Sequence, residues 1–134
     1  MSKTKETYSN DNNTNKNIRI LRMGEIYLIN AEAANEKNNT SQAKTSLDAV
    51  RNRAGLTNTT ATTQGDLRLA IWKERRVELA MEHDRFFDLV RQGRAGTVMR
   101  AHGKAFVDGK HEVFPIPQTQ IDNSGNIMKQ NPNY

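Results

Sequence analysis

Apolar residues recur at three- and four-residue steps along the first half of the chain. In "NIRILRMGEIYLINAEAANEKNN" the stripe is Ile20, Met23, Tyr27, Ala31 and Ala34, and Ala, Glu and Leu favour helix. The spacing predicts one long helix from Ile18 to about Lys37, ended by Asn38 and Asn39. In "TSQAKTSLDAVRNRAG" the stripe is Ala43, Leu47, Val50 and Ala54, with Thr40 or Ser41 as N-cap and Gly55 as a left-handed stop. Two helices joined by a short polar turn form an αα-hairpin, and Ala31, Ala33, Ala34 and Ala43 are small enough to let the backbones approach. The pair is similar to one tetratricopeptide unit. The full tetratricopeptide signature is absent, and one hairpin cannot bury both faces of its helices, so any repeat array must continue outside this chain.

After the loop "TNTTATTQG", Asp66 is placed to cap a third helix running to about Glu82 or His83, and Asp84 to cap "RFFDLVRQ", closed by Gly93. Beyond it, Asp108 and Gly109 sit between "KAFV" and "KHEVFPIP", a pattern compatible with a short β-hairpin. Pro115 and Pro117 demand extended backbone. The tail "QTQIDNSGNIMKQNPNY" reads as irregular chain pinned by Ile121, Ile127 and Tyr134. The expected architecture is therefore mainly α: a tetratricopeptide-like hairpin, further helices, and a loop-rich C-terminal part. Residues 1–17 read as a disordered polar tail and residues 18–134 as the folded domain.

On a wheel of residues 67 to 82, Leu67, Ala70, Ile71, Val77 and Met81 share one face, and Glu74 and Glu78 fall near its centre. A buried carboxylate must shift its pKa, bind a metal or find an Arg. As a catalytic pair at i,i+4, Glu74 and Glu78 project the same way, whereas glycoside hydrolysis needs carboxyls on both sides of the bond. Di-metal helical sites use Glu-x-x-His motifs, which are absent, and His83, His102 and His111 show no ligand spacing. The reading that fits is a structural ion-pair network of Glu74, Arg75, Glu78, Arg85, Asp88 and Arg91, with i,i+3 pairs Arg75 to Glu78, Arg85 to Asp88 and Asp88 to Arg91. It implies that Glu78 is buried and that its removal costs on the order of 3 kcal/mol. Trp72, on the opposite side of the wheel, meets a second helix or solvent. Of the adjacent Phe86 and Phe87, one belongs to the core.

Charge narrows the function classes. The net charge is +5, but residues 66–93, the densest charge block, sum to zero, and no segment forms the basic stripe of a nucleic-acid surface. The chain has no cysteine, which excludes disulfides, thiolate nucleophiles and Cys-ligated zinc. No apolar run approaches the ~18 residues of a membrane helix, and "MSKTKETYSNDNNTN" is no signal peptide. Neither a cofactor nor membrane insertion is expected of this segment.

Four segments, "IRILRMGEIYLINAEAANE", "AKTSLDAVRNRAGL", "ERRVELAMEHDRFFDLVRQG" and "VFPIPQTQIDNSGNIMKQNPNY", stand in the order and approximate spacing of the C-terminal region of the SusD/RagB family, which the chain resembles from Ile18 to Tyr134. The resemblance implies a helical, tetratricopeptide-like, non-catalytic lipoprotein of the Bacteroidetes outer membrane. Such proteins bind oligosaccharide at the cell surface and deliver it to a SusC-like TonB-dependent transporter. Family members are several times longer and carry a lipidated cysteine, so this chain reads as a C-terminal fragment. It departs from the family's usual letters at "MEHD" and "RQG", and the family's glycan-contacting aromatics lie in preceding segments, so no glycan-binding residue carries over. The alternative is a free-standing helical module that binds protein or peptide through its exposed apolar faces. An enzyme working through Glu78 is a third reading.

Overall fold

The structure is a computed structural model that describes residues 20–125 and 127–134; the expectation for the polar tail lies outside the described residues, and the first helix, expected from Ile18, starts at Met23, with residues 20–22 not helical and Arg22 extended. Six helices are described: α1 Met23–Glu36, α2 Thr40–Arg53, α3 Gln64–Glu78, α4 Arg85–Arg91, α5 Ala95–Ala101 and α6 Gln118–Asn123. They fall into two compact units, divided within α3 between Glu74 and Arg75.

In the first unit α1 and α2 pack as a helical hairpin around Leu28, Ala31, Leu47 and Val50, and Leu67 and Ile71 of α3 complete the core. Ala31 and Ala43 are fully buried at the hairpin contact, whereas Ala33 is exposed on the other side of α1. The connection is as short as an αα-turn allows. Asn38 takes the left-handed conformation (φ 59°), and the Asn39 N–H donates to the Ala34 carbonyl at 2.9 Å. This closes α1 in a Schellman motif with Asn in the position glycine usually takes. Asn39 then caps α2 through its side chain, which accepts from the Gln42 N–H at 3.2 Å. The cap is thus one residue ahead of the expected Thr40, because Asn39 ends one helix and starts the next. Gly55 (φ 76°) terminates α2 as expected, with the Leu56 N–H donating to the Arg51 carbonyl at 2.9 Å.

The third helix also starts earlier than expected. Thr63, not Asp66, is its cap: Thr63 Oγ1 accepts from the Asp66 N–H at 3.1 Å and its hydroxyl donates to Asp66 Oδ2 at 2.8 Å. Asp66 serves as the acidic residue of the first turn, its carboxylate meeting the Thr63 hydroxyl where a capping box would use the backbone N–H. Asn35, fully buried in α1, joins this start to the hairpin. Its Nδ2 donates to the Gln64 carbonyl at 3.0 Å, and Gln64 Nε2 donates to the Asn35 carbonyl at 2.8 Å.

In the second unit α4 and α5 enclose a small core of Leu89, Ala95 and Phe106, against which Phe86 packs while Phe87 stays exposed. Gly93 (φ 66°) closes α4. Asp84 occupies the N-cap position of α4 but its side chain makes no capping bond. Within the part expected to be loop-rich, 95–101 is helical, and so is 118–123 at the start of the tail expected to be irregular; no strand forms among the described residues. Gly109 does turn the chain (φ 76°), yet the backbone around it finds other partners, so no hairpin ladder forms. Arg100 Nη1 donates to the Phe106 carbonyl at 3.1 Å, and the Val107 N–H donates to His111 Nδ1 at 3.0 Å.

The stretch 113–116 is held by side chains of the tail. Gln130 accepts from the Ile116 N–H at 2.7 Å and donates to its carbonyl at 2.8 Å. Asn131 donates to the Phe114 carbonyl at 2.6 Å, and the Tyr134 hydroxyl to the Val113 carbonyl at 2.9 Å. Asn133 reaches back to the Gly109 carbonyl at 2.9 Å, and the Lys110 ammonium lies 4.8 Å from the centre of the Tyr134 ring. Of the three expected anchors, Ile121 is buried on α6 and Tyr134 is held through its hydroxyl. Ile127 is exposed and pins nothing within the described chain.

Candidate functional site

The charged block of α3 and α4 contains every residue of the expected ion-pair network, and the structure places Glu74 in one arrangement and Arg75, Asp88 and Arg91 in another. In the first unit Glu74, 7 % exposed, accepts from Arg51 Nη1 at 2.9 Å. Arg51, in turn, donates through Nε to the Thr57 carbonyl at 2.9 Å, tying the polar loop to α2. The guanidinium that meets Glu74 thus comes from another helix 23 residues away, a contact invisible to i,i+3 spacing.

In the second unit Arg75 and Asp88 are 5 % and 4 % exposed. One Arg75 N–H forks to both Asp88 oxygens, at 3.0 and 3.2 Å. Arg91 donates to the same carboxylate at 2.8 Å from one turn further along α4. Asp88 is therefore the centre of this cluster. Arg85 makes no ion pair within salt-bridge distance among the described residues. Burial, reinforced by the positive charges of Arg76 and Arg94, pulls its guanidinium below its usual pKa, against the attraction of Asp88.

Glu78 is not buried, which corrects the expectation drawn from the wheel. Leu67, Ile71 and Glu74 follow one buried stripe, but the next buried positions are Arg75 and Leu79. The buried face has rotated by one residue, about 100°, and that rotation carries Glu78 off it. The helix also ends at Glu78, so Val77, 65 % exposed, and Met81, 95 % exposed at φ 71°, never join an apolar face. Trp72 is half-buried in the first unit, its indole N–H donating to Glu32 of α1 at 3.0 Å.

The turn between α3 and α4 holds two left-handed non-glycine residues, Met81 and His83 (φ 68°). It frames a pocket of about 310 Å³ whose wall includes Arg76, Leu79, Met81, His83, Asp84 and Arg85. No pattern of spacing announces it, because it depends on a turn where α3 stops. Among the described residues no group of three His, Asp or Glu side chains is arranged to hold a metal ion. No described helix is long and apolar enough to cross a membrane.

The fold and the site together define a protein of the helical-hairpin class whose buried charges are matched side chain to side chain. The sequence matches the model of the SusD family over residues 1–134, and the chain belongs to that family. It is 29 % identical to the SusD-like protein P2 of Formosa agariphila over 94 % of this chain and 28 % of that relative, and 38 % identical to the SusD-like protein P25 of the same organism over 55 % of this chain and 15 % of that one. Among solved structures it resembles a SusD-like protein from Bacteroides fragilis (TM-score 0.73, 29 % identity, 86 % of this chain, 25 % of that one). It also resembles a SusD homolog from Bacteroides thetaiotaomicron (TM-score 0.75, 28 % identity, 86 % and 26 %). The chain thus spans about a quarter of the length of these relatives, or less.

Proposed function

We propose that this chain is the non-catalytic C-terminal scaffold of a cell-surface SusD-type protein that binds oligosaccharide and delivers it to a SusC-like TonB-dependent transporter of the outer membrane. Membership of the SusD family along the whole chain is the observation that carries the reading. Two features of the site agree with a structural role. The carboxylates of Glu74 and Asp88 are buried and each is engaged by arginine, so both serve packing between elements of the fold. The helical hairpin has a buried face toward its own core and a second, exposed apolar face on α1 carrying Met23, Ile26 and Ile29, as expected of one layer in a longer stack.

The test is calorimetric titration of oligosaccharides against the protein that carries this chain, with affinity capture from detergent-solubilised outer membrane. Saccharide binding and recovery of a TonB-dependent transporter are expected. Absence of both rejects the reading. Capture of a soluble protein partner with no saccharide bound favours the free-standing interaction module, to which the exposed face of α1 is equally suited.

A further inference from the structure

The pocket between α3 and α4 has an electrostatic asymmetry that the buried network leaves unresolved. Of the two carboxylates in its wall, Asp88 is already shared by Arg75 and Arg91. Among the described residues Arg76 and Arg85 make no ion pair, and neither does Asp84. The Arg85 guanidinium is held where burial and the nearby Arg76 and Arg94 charges both disfavour it. Like charges gathered in a partly desolvated recess are stabilised by an anion, and guanidinium forks match the geometry of a carboxylate. The wall is not uniformly cationic: Leu79, Ala80 and Met81 offer an apolar side and Asp84 an acceptor for hydroxyl donors. At about 310 Å³ the pocket lies at the low end of small-ligand sites, which run from about 300 to 1,000 Å³. It has room for one monosaccharide unit.

We propose that this pocket binds a uronic acid unit of an acidic oligosaccharide, with Arg76 and Arg85 holding the carboxylate, Asp84 accepting from ring hydroxyls, and the Leu79 to Met81 side lying against the sugar's C–H face. The proposal rests on the glycan-binding reading above and specifies its substrate class. Because Arg76 is exposed, its charge can be removed without disturbing a core.

The experiment is titration calorimetry at low ionic strength with trigalacturonate, the neutral galactotriose and a tri-aspartate peptide, using the 134-residue chain and its variants R76Q, R85Q and the charge-matched surface control K104Q. Trigalacturonate should bind at least about tenfold more tightly than galactotriose, the worth of one charge-assisted contact. R76Q and R85Q should each erase most of that preference, and K104Q should leave it intact. If R85Q proves unstable, R76Q alone decides. Equal affinity for the acidic and neutral sugars, or a preference that survives R76Q, overturns the pocket assignment and leaves glycan binding standing. Tri-aspartate binding as tightly as trigalacturonate shows a docking point for acidic polypeptide and overturns it as well. If no saccharide binds, glycan binding by this chain falls and the assignment with it.

Discussion

Replacing Asp88 by Ala removes the one carboxylate on which Arg75 and Arg91 converge, and its cost follows from the burial of each partner. Arg75 is almost wholly buried, and breaking a buried pair by deleting one member costs about 3–5 kcal/mol, since a charge is left without its counterion. The Arg91 side chain is 44 % exposed, so its share is that of a surface pair, about 0.2–1 kcal/mol. The two contributions together place the total at about 3 kcal/mol or more. That is a large fraction of the 5–15 kcal/mol that holds a typical domain together. Asp88→Asn keeps the shape and an acceptor oxygen and should lose less, about 2 kcal/mol. The apolar double replacement Arg75→Met with Asp88→Leu should recover most of the loss, as buried pairs exchanged for packed side chains often do. Urea denaturation measures the three values, and amide exchange should report the loss within residues 75–134. A loss below about 1 kcal/mol for D88A, or a double variant no better than D88A, would refute the reasoning.

Glu78→Ala, by contrast, should cost less than about 1 kcal/mol by the same denaturation measurement, because Glu78 lies off the buried face. Gly96→Ala should change stability by less than about 1 kcal/mol in the same measurement: a methyl there would meet only the ends of the Asp108 and Arg100 side chains, both exposed enough to swing aside, and alanine favours a helical position over glycine by up to about 1 kcal/mol. The Arg68 hydrogen bonds, outweighing desolvation, hold the Glu36 carboxyl below its ordinary pKa. The stabilisation from this pair is accordingly complete above the ordinary carboxylate range and lost as pH falls through the lowered value. An NMR titration of the Glu36 side chain should show that lowered midpoint, and R68Q should return it to the usual range.

The helical hairpin was legible from periodicity because Leu28, Ala31, Leu47 and Val50 answer to a single neighbouring layer, and a 3.6-residue repeat encodes one buried direction well. The same method failed along α3, where the buried face shifts from Glu74 to Arg75. A wheel assumes one packing direction for the whole helix, so it assigned Glu78 to the interior and Met81 to a face that does not exist. Caps slipped by one to three residues where Asn39 and Thr63 served both as chain reversals and as side-chain acceptors. In the charged block the residue types were readable, but Arg51 was not, since a partner from another helix leaves no local trace. Nor was the pocket, which exists because α3 stops at Glu78 and the chain turns through two left-handed residues.

A β-ladder can be built by almost any run of side chains, since backbone supplies both donors and acceptors. Where Gln130, Asn131, Asn133 and Tyr134 stand in for a neighbouring strand, that freedom is gone. An amide that both gives and receives at Ile116, and a phenol long enough to reach Val113, have few chemical substitutes. The core of this protein is therefore written in pattern and tolerates paraphrase, while its C-terminal clasp is written in letters. Drift should blur the helices of a distant relative long before it blurs the spelling of its last few residues.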